Sequence, residues 1–372
     1  MKILFLAADF PPAVGGIQTM LIELLRRLPD EIVVLAPGPS LEDGGERFRV
    51  IRVTRTPRLG FLGLARMLVA ALRVCAAGRP DLVVCGHVIT GPVGLFLKWV
   101  FRRPYVVLTY AWEVRRKRWS RLLGRVLHAA AAVVAISRFT REAVRRFGVP
   151  DDRIHVIWPG VDPERFSPSN GTGALRAPRP PTLLTVARLD ERHKGHDSVI
   201  RALPLIRAKV PEVRYVVAGE GRLRDYLEIL AADTGVSATV VFAGGVPASA
   251  LSGLYRECDV FVLASRDAWA GGGSEGFGIV CLEAAAAAKP VIAGRSGGLP
   301  EAVEDGVSGL VVDGEDLIAL ADAAVRLLTD PAFAGRLGEA GRQRVLRQLT
   351  WDHARDRLRT LFTQVVDEHD RG

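Results

Sequence analysis

Short runs rich in Val, Ile and Leu alternate along this chain with stretches of helical length in which apolar residues recur every three or four positions. That alternation is the pattern of strands buried on both faces of a parallel sheet, joined by amphipathic crossover helices. In the first half it predicts strands at "KILFLAA" (2–8), "EIVVLA" (31–36), "RVIRV" (49–53), "DLVVC" (81–85), "YVVLTY" (105–110), "AVVAIS" (132–137) and "IHVIW" (154–158). Helices are expected between them, among them "QTMLIELLRRL" and "RFTREAVRRFG".

The rhythm stops at "PGVDPERFSPSNGTGALRAPRPP" (159–181), whose prolines, glycines and polar residues lack any period and read as an interdomain linker. It restarts at "TLLTVARL" (182–189) and continues through 213–219, 239–244, 259–265, 290–294 and 309–313, with helices from about 315 onward. The expected fold class is α/β: two Rossmann-like doubly wound domains in tandem, 1–165 and 180–350. Such sheets bind ligands at loops off the carboxyl ends of their strands, so the expected site is a cleft between the two domains.

At 372 residues and 49% hydrophobic, the chain has ample material for two cores. No leading segment resembles a signal peptide, and the longest uncharged apolar-leaning stretch, 82–97, reads as strand, loop and helix start. Cys75, Cys85, Cys258 and Cys281 sit in apolar surroundings without metal-like spacing, which suits reduced core thiols in a cytoplasmic protein. The net charge of +9 is lopsided: residues 1–165 hold 26 Lys and Arg against 14 Asp and Glu, whereas the remainder holds 24 against 27. A basic half-molecule faces nucleic acid, an anionic membrane or a phosphorylated substrate, unless an arginine-rich composition alone inflates the count. No RNA-binding motif or aromatic platform supports nucleic acid.

Four stretches carry candidate chemistry. Gly15-Gly16 lie between the first strand and the first helix, where backbone N–H groups can approach a phosphate, although a plain turn needs the same residues. Neither a dinucleotide G-x-G-x-x-G nor a Walker G-x-x-x-x-G-K-[ST] follows that strand. Arg188 and Lys194, just past the strand 182–189, suit a diphosphate, the arginine as a fork and the lysine as a point charge. His193 and His196 share that loop, but no other ligand cluster stands with them, and the absence of any D-x-D pair speaks against metal-bound diphosphate chemistry. Finally, "GGGSEGFGIVCLEA" (271–284) places Glu275 before a helix and Glu283 inside it. Were both helical, they would stand about 80° apart around the axis, a poor fit to a face-to-face acid and base. Capping or surface roles for each, or a grip on two parts of one extended ligand, remain open.

Taken together, "DFPPAVGGIQ" (9–18), "ISRFTREAV" (136–144), "VIWPGVDPERFSP" (156–168), "VARLDERHKGHDSVIRAL" (186–203), "VAGEG" (217–221), "VFAGGV" (241–246), the long run 275–312 and "LTWDHA" (349–354) resemble the retaining glycosyltransferases of GT-B fold that carry a Glu-x7-Glu motif, the group 1 or family 4 type. The resemblance covers essentially the whole chain. It implies a sugar transfer from a nucleotide sugar without cofactor or metal. It assigns Arg188 and Lys194 to the donor diphosphate, Gly15-Gly16 to the loop covering it, and Glu283 to the nucleotide ribose. It assigns Glu275 to the hydroxyls of the transferred sugar, with Phe277, Gly278 and Ile279 offering backbone groups beside it. The segment at Gly245-Val246 matches the base-binding loop, and Gly297-Gly298 with Glu301 the loop behind the sugar. It further implies that the last helix, 351–370, returns to the first domain.

One departure stands out. Many relatives have a His after the strand matching 105–110, where this chain has Tyr110; His87 on the neighbouring strand-end loop is then a candidate catalytic or acceptor-side group, against a purely structural histidine. The Gly-rich run before Glu275 resembles the phosphatidylinositol mannosyltransferase branch, which implies GDP-mannose as donor, with UDP-glucose and UDP-N-acetylglucosamine as alternatives. A sugar-nucleotide epimerase or an inactive sugar-nucleotide binder would share the fold. For the acceptor, a lipid-linked, phospholipid or polysaccharide molecule, the stretch 110–130 interleaves Arg115, Arg116, Lys117, Arg118, Arg121 and Arg125 with Trp112 and Trp119. That pattern suits peripheral docking on an anionic cytoplasmic membrane leaflet, or a solvated helix with its apolar face in the core.

Overall fold

The computed structural model describes residues 1–13, 15–39, 47–56, 59–110, 120–168, 179–267 and 273–371. The chain divides into two compact units, one of residues 1–159 with 351–372 and the other of residues 160–350.

The first unit is built on β1 (Lys2–Leu6), α1 (Gly16–Arg27), β2 (Glu31–Ala36), β3 (Arg49–Arg52), α2 (Phe61–Gly78), β4 (Leu82–Cys85), α3 (Gly91–Phe101), β5 (Tyr105–Thr109), α4 (Ser120–Ala129), β6 (Ala132–Ala135), α5 (Arg138–Arg145) and β7 (Ile154–Val156). Its seven strands are all parallel, in the order β3-β2-β1-β4-β5-β6-β7. The central strands are buried from end to end, which is why they read as unbroken apolar runs and not as alternating ones. On one face, Leu4, Leu6, Val83, Cys85 and Val107 pack against a layer of helices that contributes Met67, Ala71 and Cys75 of α2, Leu97 of α3 and Val126 of α4.

The second unit holds β8 (Thr182–Val186), α6 (His196–Arg207), β9 (Arg214–Ala218), α7 (Arg224–Asp233), β10 (Val240–Gly244), α8 (Ala248–Glu257), β11 (Val260–Leu263), α9 (Ile279–Ala286), β12 (Val291–Gly294), α10 (Leu299–Ala302), β13 (Leu310–Val312), α11 (Leu317–Thr329) and α12 (Pro331–Gln348). Six parallel strands run in the order β10-β9-β8-β11-β12-β13. The sequence order of the strands reverses between β8 and β11, and at such a switch point the flanking crossovers leave on opposite faces and open a crevice at the strand ends. The last helix, α13 (Trp351–Arg371), belongs to the first unit, where it packs on α1 and buries Leu358, Leu361 and Phe362.

Two readings of the sequence change. Residues 160–168, taken as the start of a linker, are an ordered part of the second unit: Asp162 accepts the backbone N–H groups of Glu164 and Arg165, and Phe166 is buried. A core aromatic in a proline-rich, aperiodic stretch leaves no periodic signal. A second apolar stretch, which two arginines kept out of the uncharged runs, is the helix α2. Among the described residues, α2 is the one helix long and apolar enough to cross a bilayer, and Met67, Ala71 and Cys75 on its inner side lie in the core of the first unit.

Candidate functional site

The switch point of the second unit brings two loops together. The loop after β8 carries Arg188 and, in a short 3-10 turn over Arg192–Lys194, the ammonium of Lys194. The loop after β11 leads to Glu275. Lys194 Nζ donates to Glu275 Oε2 at 2.6 Å, with only 18% and 14% of the two side chains exposed. Burial alone would raise the Glu275 carboxyl; Lys194, with His193 and Arg188 nearby, outweighs it and holds the group below its ordinary value, hence ionised. Arg188 is exposed and has no carboxylate partner among the described residues.

The main chain of Glu275 is fixed as firmly as its side chain. Its carbonyl accepts the N–H of Gly298 at 2.8 Å, and its own N–H reaches Ser296 Oγ at 3.4 Å, which in turn donates to Asp267 at 2.9 Å. Gly297 sits between these contacts with φ +52°, and a Cβ on it would stand 2.0 Å from the Glu275 carbonyl oxygen. Only glycine satisfies that approach. Gly297-Gly298 is therefore the seat of the Glu275 backbone. Glu301 lies in the short helix α10 immediately beyond.

Buried Phe277 and left-handed Gly278 (φ +94°) lead into α9, whose first residue is Ile279. No side chain caps this helix start. Glu283, one turn in, is half-buried and accepts a 2.6 Å hydrogen bond from the hydroxyl of Tyr255 on α8. Burial pushes the Glu283 carboxyl up to about 7, against the pull of the Tyr255 hydrogen bond and the charge of Arg165. Tyr255 is itself buried between the rings of Phe166 and Phe261, each with its centroid 5.6 Å away. Arg165 lies over the Phe166 ring and donates to the carbonyl of Ala248 at 2.6 Å. The two acids thus have separate partners: a lysine for Glu275, a tyrosine for Glu283.

Gly245-Val246 follow β10, where the N–H of Gly245 donates to Glu220 at 3.1 Å, so the loop after β9 holds the loop after β10. His193 and His196 are both buried. Burial lowers His196 to about 4, and its Nδ1 lies 3.5 Å from the Tyr215 hydroxyl.

In the first unit, Gly15 has an extended backbone and its carbonyl accepts from Thr19 at 2.9 Å, while Gly16 opens α1. His87 follows β4, beside the β1–β4 reversal of the sheet. It is buried, and its Nδ1 accepts the N–H of Ile89 at 3.1 Å, which leaves its proton on Nε2. Burial lowers it to about 4, so the imidazole is neutral. Tyr110 stacks on it, ring centroids 5.8 Å apart, and spends its hydroxyl hydrogen on the Gly86 carbonyl at 2.8 Å. Tyr110 thus braces the loop that holds His87, its hydroxyl hydrogen committed to the backbone. Of the basic, Trp-bearing stretch, 111–119 lies outside the described residues; Arg121, Leu122 and Arg125 are exposed on α4.

The motif readings named neither Tyr255, Asp267 nor Ser296. Tyr255 is a common residue in a plain helix and Asp267 and Ser296 are common loop residues, and only the fold sets them beside a glutamate.

Comparison with known proteins agrees with this fold. Residues 173–344 match the family model "Glycosyl transferases group 1", and residues 14–165 match "Glycosyltransferase Family 4". The chain is 36% identical, over 97% of its length and 98% of the relative's, to a GDP-mannose-dependent alpha-(1-6)-phosphatidylinositol monomannoside mannosyltransferase of Mycolicibacterium smegmatis. It is 31% identical, over 97% of both, to the GDP-mannose-dependent enzyme of Corynebacterium glutamicum named for the monoacylated form of that lipid. Among solved structures, sucrose-phosphate synthase of Thermosynechococcus elongatus superposes with a TM-score of 0.84 over 99% of both chains at 24% identity. Anabaena HepE in complex with UDP and glucose superposes with a TM-score of 0.81 over 98% of this chain and 99% of its own, at 22% identity.

Proposed function

This chain belongs to the group 1 glycosyl transferase family, and from that membership we propose that it moves mannose from GDP-mannose onto a phosphatidylinositol-type lipid, retaining the anomeric configuration. The donor lies along the β8–β11 switch point. Arg188 and Lys194 hold the diphosphate, and the ammonium has hydrogens enough to keep Glu275 and a phosphate oxygen at once. Glu283 accepts from the ribose hydroxyls, Glu275 from the hydroxyls of mannose, and the loop at Gly245-Val246 receives the base. The backbone of Phe277, Gly278 and Ile279 meets the sugar. The acceptor is a lipid headgroup at the cytoplasmic face of a membrane, which the protein visits peripherally.

Transfer breaks the bond from the anomeric carbon to the leaving phosphate oxygen and forms a bond from the acceptor hydroxyl oxygen on the same face. The acceptor proton passes to the leaving phosphate oxygen. Negative charge on the departing diphosphate is the main demand of that transition state, and Arg188 and Lys194 meet it electrostatically without a metal. Glu275 is committed to Lys194 and serves the donor sugar's hydroxyls. His87, neutral and with its remaining proton on Nε2, serves on the acceptor side.

The observation that carries this reading is the pairing of an ionised, lysine-held Glu275 with an exposed Arg188, which makes no ion pair among the described residues, on the two loops where a doubly wound sheet takes its ligand. The test is a donor panel. GDP-mannose, UDP-glucose and UDP-N-acetylglucosamine are compared by thermal shift, then by nucleotide release with dispersed phosphatidylinositol. GDP-mannose should shift the unfolding midpoint and release GDP only when the lipid is present. A shift with a UDP-sugar alone would replace the donor; binding without release on any acceptor would leave a sugar-nucleotide binder.

A further inference from the structure

We propose that Arg266, at the start of the loop after β11, is a positioning residue for the Lys194 ammonium. The turn that carries this ammonium is a short 3-10 helix, Arg192–Lys194, closed by Gly195 in a left-handed backbone (φ +76°). So short a turn has little stability of its own, because it fixes backbone angles for very few hydrogen bonds. Its shape comes from what it rests on, and Arg266 grips the chain on both sides of Lys194. The main-chain N–H of Arg266 donates to the carbonyl of His193, one residue before the lysine, at 2.9 Å. Its guanidinium forks onto the Asp197 carboxylate, in the first turn of α6, with bonds of 2.9 and 2.8 Å. A further 2.9 Å bond reaches Ser198 Oγ. Only 18% of the Arg266 side chain and 13% of that of Asp197 are exposed, so the fork is a partly desolvated, charge-assisted one.

The main chain makes the same seat. A Cβ on Gly195 would stand 1.9 Å from the carbonyl oxygen of Ala264, at the end of β11. A Cβ on Gly273 would stand 2.6 Å from the His193 ring, so the loop that leaves the turn at Arg266 returns to it just before Glu275. Lys194 and Glu275 therefore share one frame, and Arg266 is the side chain that fastens it. Arg266 does not itself reach for a ligand: Asp197 neutralises it, both terminal nitrogens are engaged, and Nε faces Glu315 at 3.7 Å. It acts through the lysine. A group displaced by about 1 Å from its working geometry forfeits up to about 10²-fold in rate. The inference deepens the assigned reaction, resting on that reading for the rate but not for the geometry.

The test uses two variants. Arg266→Lys keeps the cation and loses the fork. Arg266→Met combined with Asp197→Asn removes both charges, so that neither is left buried alone. Unfolding midpoints fix a temperature at which wild type and both variants are folded. There, acetic anhydride labelling read by mass spectrometry reports the reactivity of Lys194 with no donor present. An ammonium held on a carboxylate reacts slowly, and releasing the turn should raise Lys194 labelling about fivefold or more in both variants, with the other lysines unchanged. Transfer from GDP-mannose is then measured with and without Lys194→Met. Arg266→Lys should lower kcat about tenfold when Lys194 is present, and have no further effect once the lysine is gone. An equal loss in both backgrounds would overturn the proposal, because Arg266 would then act on its own or through the fold. Unchanged Lys194 labelling in the two variants, or a wild-type kcat in Arg266→Lys, would overturn it as well. Wild type that transfers no mannose removes the assigned reaction only, and the labelling then decides whether Arg266 holds Lys194.

Discussion

Lys194 and Glu275 are 81 positions apart in the chain and 2.6 Å apart in the fold, each the other's charge partner in a site largely closed to water. Neither residue is meaningful alone: the lysine keeps the acid ionised, and the acid fixes the lysine where a diphosphate arrives. Breaking a buried pair from one side leaves an uncompensated charge, which costs about 3–5 kcal/mol. Lys194→Met should therefore lower stability by about that amount in urea unfolding and cut transfer by roughly 10²–10³-fold. Glu275→Gln keeps an acceptor for the lysine, so its stability loss should be smaller while its kcat loss is comparable. Equal stability of Lys194→Met and wild type would show the pair to be incidental.

Gly297→Ala should displace Glu275 without touching its side chain. The new Cβ meets the Glu275 carbonyl at 2.0 Å in a left-handed backbone, so the loop must move. Destabilisation of about 1–3 kcal/mol is expected, with kcat falling while GDP affinity stays close to wild type. Calorimetry and GDP titration read the two effects separately.

Glu283 sets a pH signature. Its carboxyl is raised from 4.5 to about 7 by burial, so between those values the folded state holds a proton that the unfolded state has released. The stabilisation is complete below 4.5 and is lost as pH rises through 7, a fall of at most about 3 kcal/mol. Glu283→Gln should abolish that slope in unfolding measured from pH 4.5 to 8. A ribose hydroxyl donates better to the carboxylate than to the acid, so donor affinity should strengthen as pH rises from 6 to 8.

Tyr255→Phe shifts the same profile. Its hydroxyl favours the ionised acid, and removing it should raise the Glu283 pKa further. The pH midpoint of donor binding should then move alkaline, with kcat at saturating donor nearly unchanged. An unmoved midpoint would mean that the tyrosine only packs.

Arg188→Lys keeps the charge but removes the planar fork. Donor Kd should weaken about tenfold or more, and Arg188→Ala further, with the wild type showing the steeper loss of affinity on adding salt.

The periodic apolar runs made the thirteen strands of the described residues legible, because a strand buried on both faces must be written in Val, Ile and Leu; β2 fills its predicted segment and each of the others lies inside its own, shorter by one to three residues. Lys194, Glu275 and Glu283 were legible as motif positions. The surroundings of Glu283 were not. Tyr255 sits in a plain helix, and Phe166 lies in a stretch that composition marks as linker. Such contacts depend on which strands become neighbours, and local periodicity does not encode strand order.

The return of α13 to the first unit has a consequence for biosynthesis. Residues 160–350 form the second unit as one uninterrupted segment, and its ends meet where the N–H of Val161 donates to the Leu349 carbonyl at 3.0 Å. The first unit lacks Leu358, Leu361 and Phe362 until α13 has left the ribosome. The half of the chain made first is therefore the half finished last. Nascent chains stalled before residue 351 should hold a protease-resistant second unit beside a first unit that is still open to cleavage.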